Sequence, residues 1–200
     1  LTPTDALHID SHAQHNRAHS PTHAPTYNIQ TRTALSPTYS PTYPPPGILA
    51  KTCEPADVAQ FALPALERLA PLLNAPMATV PRSLVQNAAV SVGRVSMRTP
   101  ETISVHADVF LSGWCAALRG LTDGDEKRDA FRGLICVVRA TPHVVHTHFK
   151  SICECFASWR TVDDPELVES MGYVVRVGVE AGVELGAIDP GVRHKLGLSI

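Results

Sequence analysis

Apolar residues recur every three or four positions through most of the chain after residue 55, a pattern typical of amphipathic helices. The clearest stripe follows Thr141-Pro142 and has steps of 4, 3, 4 and 3 residues: Val145, Phe149, Ile152, Phe156 and Trp159. Further stripes predict helices over 58–73, 84–97, 101–118 and 126–140, and another after Asp164-Pro165. The pattern therefore predicts an all-α fold in which every helix buries one face.

Local sequence signals predict where these helices begin and bend. Ser83 and the glutamine three residues later have the spacing of a capping box. Thr99 and Thr141 each precede a proline, which predicts a threonine N-cap followed by proline at the first helical position. Pro64 lies inside the first stripe, where it predicts a kink. The helix that follows Pro142 is expected to extend to about residue 160.

The predicted helices pair into hairpins that repeat. Ala89, Phe131 and Met171 occupy matching places in the second helix of each pair, 42 and then 40 residues apart. Helical hairpins with a period of about 40 residues are typical of HEAT and armadillo solenoids. We therefore predict a HEAT-repeat α-solenoid of about three hairpins over residues 51–200. The hairpins span 55–97, 99–140 and 141–180, the folded part begins near Pro55, and a short C-terminal tail follows.

Residues 1–50 have a different composition. They contain only four charged residues and an imperfect Ser-Pro-Thr-Tyr repeat, best seen at 36–39 and 40–43. Such a tract cannot bury enough apolar surface to offset its ordering entropy, so we predict a disordered tail with polyproline character. It could be a phosphorylated tail or a ligand of a proline-binding module, or it could be inert. Its five histidines have no folded frame that would fix metal geometry.

Charge and composition exclude several classes of function. A formal net charge of −2 and the lack of a basic run argue against nucleic-acid binding. No apolar stretch approaches the roughly 20 residues that cross a bilayer, so no membrane insertion is expected. The N-terminus lacks the pattern of a secretory leader, and the five cysteines are expected to be reduced thiols in an intracellular protein.

The residues that could perform chemistry do not form a reactive site in the sequence pattern. A zinc site is not expected, because on one helix the candidate ligands project in different directions: His143, His146, His148, Cys153 and Cys155. No Ser-His-Asp set, paired carboxylates or phosphate-binding glycine loop is visible. We therefore expect no metal, no cofactor and no enzyme activity.

Two kinds of side chain are predicted to hold the repeats together. Trp114 and Trp159 complete inward stripes, which favours core packing over a role in binding a partner. Arg94 and Arg132 are predicted to bridge neighbouring repeats by pairing with carboxylates such as Asp129.

Several segments resemble the transportins (karyopherin-β2), which are nuclear import receptors of the importin-β family. The segments are 84–94 (LVQNAAVSVGR), 114–119 (WCAALR), 125–133 (DEKRDAFRG) and 153–159. The resemblance is to the C-terminal three HEAT repeats and covers about residues 55–200. It implies a receptor fragment that moves between cytoplasm and nucleus and binds cargo with proline-tyrosine nuclear localisation signals. Nuclear pore proteins are further possible partners, whereas the family's Ran GTPase binds an N-terminal arch that these residues do not match.

The resemblance also suggests two cargo-binding residues. Asn87 and Val90 fall where the family's concave cargo groove has an amide and an aliphatic contact. An asparagine side chain can hydrogen-bond the backbone of an extended peptide, and an exposed valine beside it would add apolar contact. Alternatively, Asn87 bonds a neighbouring helix and Val90 packs internally. The alternative function is a HEAT-repeat scaffold subunit, for example of the phosphatase type, that organises other protein partners.

Overall fold

The computed structural model describes residues 44–76 and 78–198, so most of the predicted tail lies outside the described residues. Within these ranges the regular structure is entirely helical, which confirms the all-α prediction. The helices are α1 (Pro46–Thr52), α2 (Pro55–Leu73), α3 (Arg82–Ser96), α4 (Pro100–Ser104), α5 (Ala107–Arg119), α6 (Asp125–Ala140), α7 (Val144–Phe156), α8 (Pro165–Glu180) and α9 (Pro190–Lys195). A single 3-10 turn, Leu185–Ala187, lies between α8 and α9.

The helices form hairpins that stack side by side in two layers. The first hairpin is α2 with α3, the second is α4 and α5 with α6, and the third is α7 with α8. In the first layer α2 packs against α5 and α5 against α7. In the second layer α1 packs against α3, α3 against α6, and α6 against α8. Each hairpin therefore covers the apolar flank of the one before it.

The apolar stripes predicted from the sequence form the core between the layers. Trp114 is fully buried, and its indole Nε1 donates a hydrogen bond to the Ala89 carbonyl at 2.9 Å. Trp159 is also buried, and its ring meets Phe131 edge-on with 5.4 Å between centroids. Both tryptophans are thus core residues, as predicted.

The predicted helix over 101–118 is in fact two helices. α4 and α5 are separated at Val105 and His106, both of which are exposed. Both helices pack against α2, α3 and α6, but α4 packs mainly against α6, whereas α5 packs mainly against α7. The break allows one predicted helix to have two different main neighbours, which helical periodicity alone does not reveal.

The N-terminal caps predicted for α3 and α4 do not form. α3 begins at Arg82 with Pro81 as its N-cap, and no capping box forms. The Gln86 amide instead donates a hydrogen bond to the Gly120 carbonyl at 2.6 Å, so a tertiary contact has replaced the local one. Thr99 does precede α4, but its hydroxyl donates to the Val95 carbonyl of α3 rather than accepting from α4.

The later helix ends show where local signals succeed and where they fail. α7 begins at Val144 rather than at Pro142 and ends at Phe156, short of the predicted end near residue 160. α8 begins at Pro165, so the helix predicted after Asp164-Pro165 forms there, and Asp164 caps it by accepting from the Leu167 N–H at 3.2 Å. α2 passes through Pro64 without ending, and that proline is exposed.

The folded part begins before Pro55, contrary to the prediction. α1 occupies a second-layer position beside α3, where Gly47 lies so close to Ser91 that a Cβ on the glycine would be 2.9 Å from the serine Oγ. The Arg98 guanidinium donates to the Ala50 carbonyl at 2.9 Å and fastens α1 to the end of α3. The proline run just before this helix concealed it in the sequence.

Candidate binding surface

The solvent-facing side of the second layer carries the candidate binding residues. Ala89, Phe131 and Met171 are equivalent positions of α3, α6 and α8 and all point into the core. Two residues before each of them, Asn87, Asp129 and Glu169 are therefore also equivalent; Asn87 and Glu169 are exposed, whereas Asp129 is partly buried. We call the side of α3, α6 and α8 that bears these residues the second-layer surface.

The two predicted cargo contacts have different environments. Asn87 is exposed, and among the described residues its side chain makes no hydrogen bond, so it does not bridge to a neighbouring helix. Val90 is only 4% exposed, so of the two alternatives for this residue the structure shows internal packing and not an exposed contact. It lies on the α3 face shared with Gln86 and Gly93, and α6 with its preceding turn covers that face. The stacking of repeats thus places Val90 in the interior and leaves Asn87 at the surface.

An ion-pair network joins three second-layer helices beside Asn87. Asp129 of α6 accepts from Lys51 of α1 and from Arg94 of α3, each at 3.0 Å. Burial would raise the pKa of Asp129, but the hydrogen bonds from Lys51 and Arg94 outweigh it and hold that pKa below its ordinary value. The Arg94 and Asp129 side chains are 14% and 16% exposed, which makes this a largely desolvated contact. The prediction that Arg94 bridges repeats by pairing with Asp129 is confirmed.

A second set of ion pairs joins α6 to the start of α8. Arg128 pairs with Asp163 at 3.0 Å, and Arg132 pairs with Asp164 at 2.8 Å. The backbone hydrogen bond from Leu167, together with these two arginines, lowers the pKa of Asp164 even though some burial opposes it. The predicted role of Arg132 as a bridge between repeats is confirmed.

Four carboxylates around these networks remain open to solvent. The side chains of Asp125, Glu126, Asp163 and Glu166 are 87%, 69%, 82% and 86% exposed, and all lie at or just before the first turns of α6 and α8. The arginines they contact leave most of their surface free. This edge of the second-layer surface is therefore acidic and accessible, which suits a basic ligand.

A buried lysine fastens α6 to the turn of the next hairpin. Lys127 is 1% exposed; its ammonium group donates to Asp123 at 2.8 Å and to the Ser158 carbonyl at 3.2 Å. It also lies 4.7 Å from the centroid of the Trp159 ring. Burial opposes ionisation of Asp123, but the bonds from Lys127 and the Arg160 N–H prevail and lower its pKa. Sequence analysis missed this group because two of its members, Ser158 and Trp159, follow Lys127 by about thirty residues, although Asp123 is only four residues away.

The first layer contains a Ser-His-Asp cluster that sequence analysis also missed. His148 of α7 contacts the Ser112 hydroxyl through Nδ1 at 2.9 Å and the Asp108 carboxylate through Nε2 at 3.2 Å. Both partners lie one turn apart on α5, so the imidazole bridges α5 and α7. A hydrolase would also need free donors for an oxyanion, and the backbone N–H groups around Ser112 are already used within α5. The cluster is a structural contact between two repeats.

The remaining candidates for chemistry are the cysteines and the possible metal ligands. The five cysteines are free thiols, and burial raises the pKa of Cys153 to about 12, which makes it a poor nucleophile. The described residues contain no group of three or more histidine, cysteine or acidic side chains that could hold a metal ion. In the same part of the chain, every helix is too short or too polar to span a bilayer.

Helical hairpins stacked in two layers, with polar ladders between successive hairpins, define a HEAT-repeat α-solenoid, a class of proteins that bind partners along their surface. No family model matches the chain. It is 30% identical over 148 residues to Transportin-1 of Oryza sativa, an alignment that covers 70% of this chain and 16% of that protein. It is 34% identical over 116 residues to Transportin of Dictyostelium discoideum, covering 58% of this chain and 12% of that protein.

Importin subunit beta-2 of Schizosaccharomyces pombe is 25% identical over 124 residues, which cover 62% of this chain and 13% of that protein. The chain therefore belongs to the transportin family, and it spans at most about a sixth of the length of these relatives. The names of the relatives describe transport and import proteins and not enzymes.

Proposed function

We propose that this chain contributes part of the cargo-binding surface of a nuclear import receptor that works between cytoplasm and nucleus. The observation that carries the proposal is the exposed Asn87 amide beside an acidic edge, on a chain related to transportins. Cargo would be a protein with an extended, basic nuclear localisation signal of the proline-tyrosine type. Ran GTPase and nuclear pore proteins would bind the receptor through other surfaces.

The chemistry of Asn87 suits an extended peptide. Its side-chain oxygen accepts and its nitrogen donates, so one amide can pair with the N–H and C=O of a peptide backbone independently of sequence. Because α3 is held on both sides by α1 and α6, the amide would be presented from a fixed helix. Such a contact costs little ordering entropy on binding.

Charge would supply the preference for basic cargo. The open carboxylates of Asp125, Glu126, Asp163 and Glu166 lie at the starts of two neighbouring second-layer helices. They would attract lysines and arginines of a signal whose backbone lies on Asn87. Val90 would act indirectly, since its burial between α3 and α6 fixes how far apart the two helices stand.

Fluorescence anisotropy with a labelled basic peptide ending in Pro-Tyr tests the proposal. We expect saturable binding by the 200-residue chain, weakened by about threefold to tenfold in Asn87→Ala, the range of one lost hydrogen bond. Gln60→Ala is the matched control, because Gln60 is an exposed amide on α2 in the other layer. The double variant Glu126→Lys/Glu166→Lys should weaken binding further, and added salt should weaken binding to the unaltered chain.

Two results would overturn this assignment. The first is the absence of binding by a chain that circular dichroism shows to be folded; this result would favour the HEAT scaffold that organises other partners. The second is an equal loss in the Gln60 and Asn87 variants, which would place the peptide elsewhere on the molecule.

A further inference from the structure

One flank of each second-layer helix is covered by the helix that follows it. On α3 this flank carries Gln86, Val90 and Gly93, with spacings of four and three residues. α6 and its preceding turn cover it: Gln86 donates to the Gly120 carbonyl, and Gly93 touches the α6 backbone at Ala130. The covering helix also places a carboxylate, Asp129, on Arg94 at the edge of the flank.

The equivalent flank of α6 is covered in the same way. Arg128 and Arg132, four residues apart on that flank, both contact Asp164 at the start of α8. Arg139, further along, donates to Ser170 of α8 at 3.0 Å and stacks on Tyr173. Both covering helices are thus amphipathic and bring an aspartate to an arginine.

The equivalent flank of α8 carries Val168, Gly172, Val175 and Val179, again with spacings of four, three and four residues. Among the described residues no second-layer helix follows α8, and Val168 and Val179 are 49% and 42% exposed. An open groove of about 610 Å³ runs along this flank, bordered on its far side by Leu196 and Leu198. Without Arg128 and Arg132 equivalents, it is the most apolar of the three flanks.

The edge of this groove is cationic. Arg176 stands four residues after Gly172, as Arg94 stands four residues after Val90, so the two arginines are equivalent. Arg94 pairs with Asp129, whereas within the described part of the chain no carboxylate lies within ion-pair distance of Arg176. Arg160 and Lys195 also line the groove, and Glu180 is the one carboxylate among its lining residues, so the edge carries a net positive charge. A ligand with an apolar stripe and a carboxylate at its edge would satisfy both features.

We propose that the α8 groove binds an amphipathic helix of a partner protein, with an apolar ridge on Val168, Val175 and Val179 and an acidic side chain on Arg176. The groove is distinct from the second-layer surface that bears Asn87, so the proposal does not depend on cargo binding there. We infer this occupant from the repeat, because amphipathic helices that bring an aspartate to an arginine cover the equivalent flanks of α3 and α6.

A peptide copy of α6 is a suitable probe, because α6 covers the equivalent flank of α3. The test uses the 200-residue chain and a fluorescein-labelled, acetylated and amidated peptide of residues 122–140, measured by anisotropy. We expect saturable binding that weakens about tenfold in Arg176→Glu and in Val168→Asp. Arg68→Glu is the matched control, since Arg68 is an exposed arginine of α2 and lies far from α8 in the fold. A peptide with Asp129→Arg should bind Arg176→Glu better than it binds the unaltered chain.

Other outcomes would overturn the proposal. It is wrong if the folded chain does not bind the peptide, or if Arg68→Glu weakens binding as much as Arg176→Glu does. Self-association in sedimentation velocity that Val168→Asp abolishes would make a second copy the occupant. If a longer natural protein that contains these residues does not bind the peptide although the 200-residue chain does, another segment of the same polypeptide fills the groove.

Discussion

The α3–α6 and α6–α8 junctions both join neighbouring second-layer helices, the first by backbone contact and the second by long side chains. Between α3 and α6 the backbones touch: a Cβ on Gly133 would lie 2.0 Å from the Gly93 carbonyl oxygen, and one on Gly93 would lie 2.5 Å from the Ala130 Cα. Between α6 and α8 the link is made by long side chains, chiefly Arg132 and Arg139. A cavity of about 310 Å³ remains beside them.

The difference has a mechanical meaning. A backbone contact fixes the spacing of two helices, because atoms in contact cannot approach further and gain nothing by separating. Flexible arginine side chains keep their ion pairs over a range of helix positions. We therefore expect the first two hairpins to move as a unit and the third to adjust against them.

Gly133→Ala should have the largest effect, because it places a methyl group inside the α3–α6 backbone contact. We expect a loss of about 3 kcal/mol or more in the free energy of unfolding, at the upper end of the range for overpacked cores. Urea denaturation followed by circular dichroism measures it. Gly172→Ala is the matched control: its Cβ would meet only the Arg176 guanidinium at 3.4 Å, so alanine should stabilise α8 slightly. Equal effects of the two variants would contradict the close contact.

Asp123→Ala tests the buried contact of Lys127, which links α6 to the segment before α8. Its removal leaves the Lys127 ammonium, which is 1% exposed, without a counter-charge beside Trp159. We expect a loss of about 2 kcal/mol in unfolding free energy, typical of an unpaired buried charge that keeps some hydrogen bonds. Asp163→Ala, which removes an aspartate that is 82% exposed, should leave the urea midpoint unchanged. A larger effect of Asp163→Ala would mean that the exposed pairs carry the junction.

Acid should weaken both junctions together. Asp123, Asp129 and Asp164 have folded-state pKa values below the ordinary 3.8, so each contributes stability that is nearly complete above about pH 4.5. That contribution is lost as the pH falls through the depressed pKa values, because protonation then occurs only with loss of the bonds. Thermal midpoints measured from pH 7 to pH 2 should be flat above about 4.5 and fall below it. In Asp129→Asn the fall should be shallower, and an unchanged slope would exclude Asp129 as a contributor.

Arg132→Ala should have the smallest effect. Its side chain is 43% exposed, so water already screens the pairs with Asp164 and Glu166. We expect a shift in thermal midpoint that disappears in 1 M salt, where such pairs are screened. The same substitution at Arg94, whose side chain is only 14% exposed, should cause a larger shift that persists in salt. Similar shifts at the two positions would remove the distinction between the junctions.

The core positions that depend on helical periodicity could be predicted from the sequence. The contacts that depend on the neighbouring repeat could not. Helical spacing placed Trp114 and Trp159 in the core, and the 40-residue repeat indicated the stacked hairpins. The sequence left open whether Val90 is exposed or packs internally, because the flank of a helix that meets the next repeat cannot be told from its open side by spacing alone; the structure shows it buried.

Long-range polar contacts set the second limit. The partners of His148, and the Ser158 carbonyl bonded by Lys127, lie on other repeats, so no local motif marks these contacts; only Asp123 is local to Lys127. For the same reason Ser83 and Gln86 suggested a capping box, whereas Gln86 contacts the neighbouring hairpin. Of the candidate surface, the sequence indicated only the Asn87 amide. It did not indicate the acidic edge, because this edge forms where the starts of α6 and α8 lie side by side in the fold.

Helix α1 determines how short this chain can be cut. It is a second-layer helix that supplies the Ala50 carbonyl to Arg98, the Lys51 ammonium to Asp129 and a cover for Ser91. A fragment trimmed at Pro55, where the sequence first suggests order, would strip the side of α3 that carries these groups. We therefore expect a fragment that keeps α1 to be more stable than one that begins at Pro55.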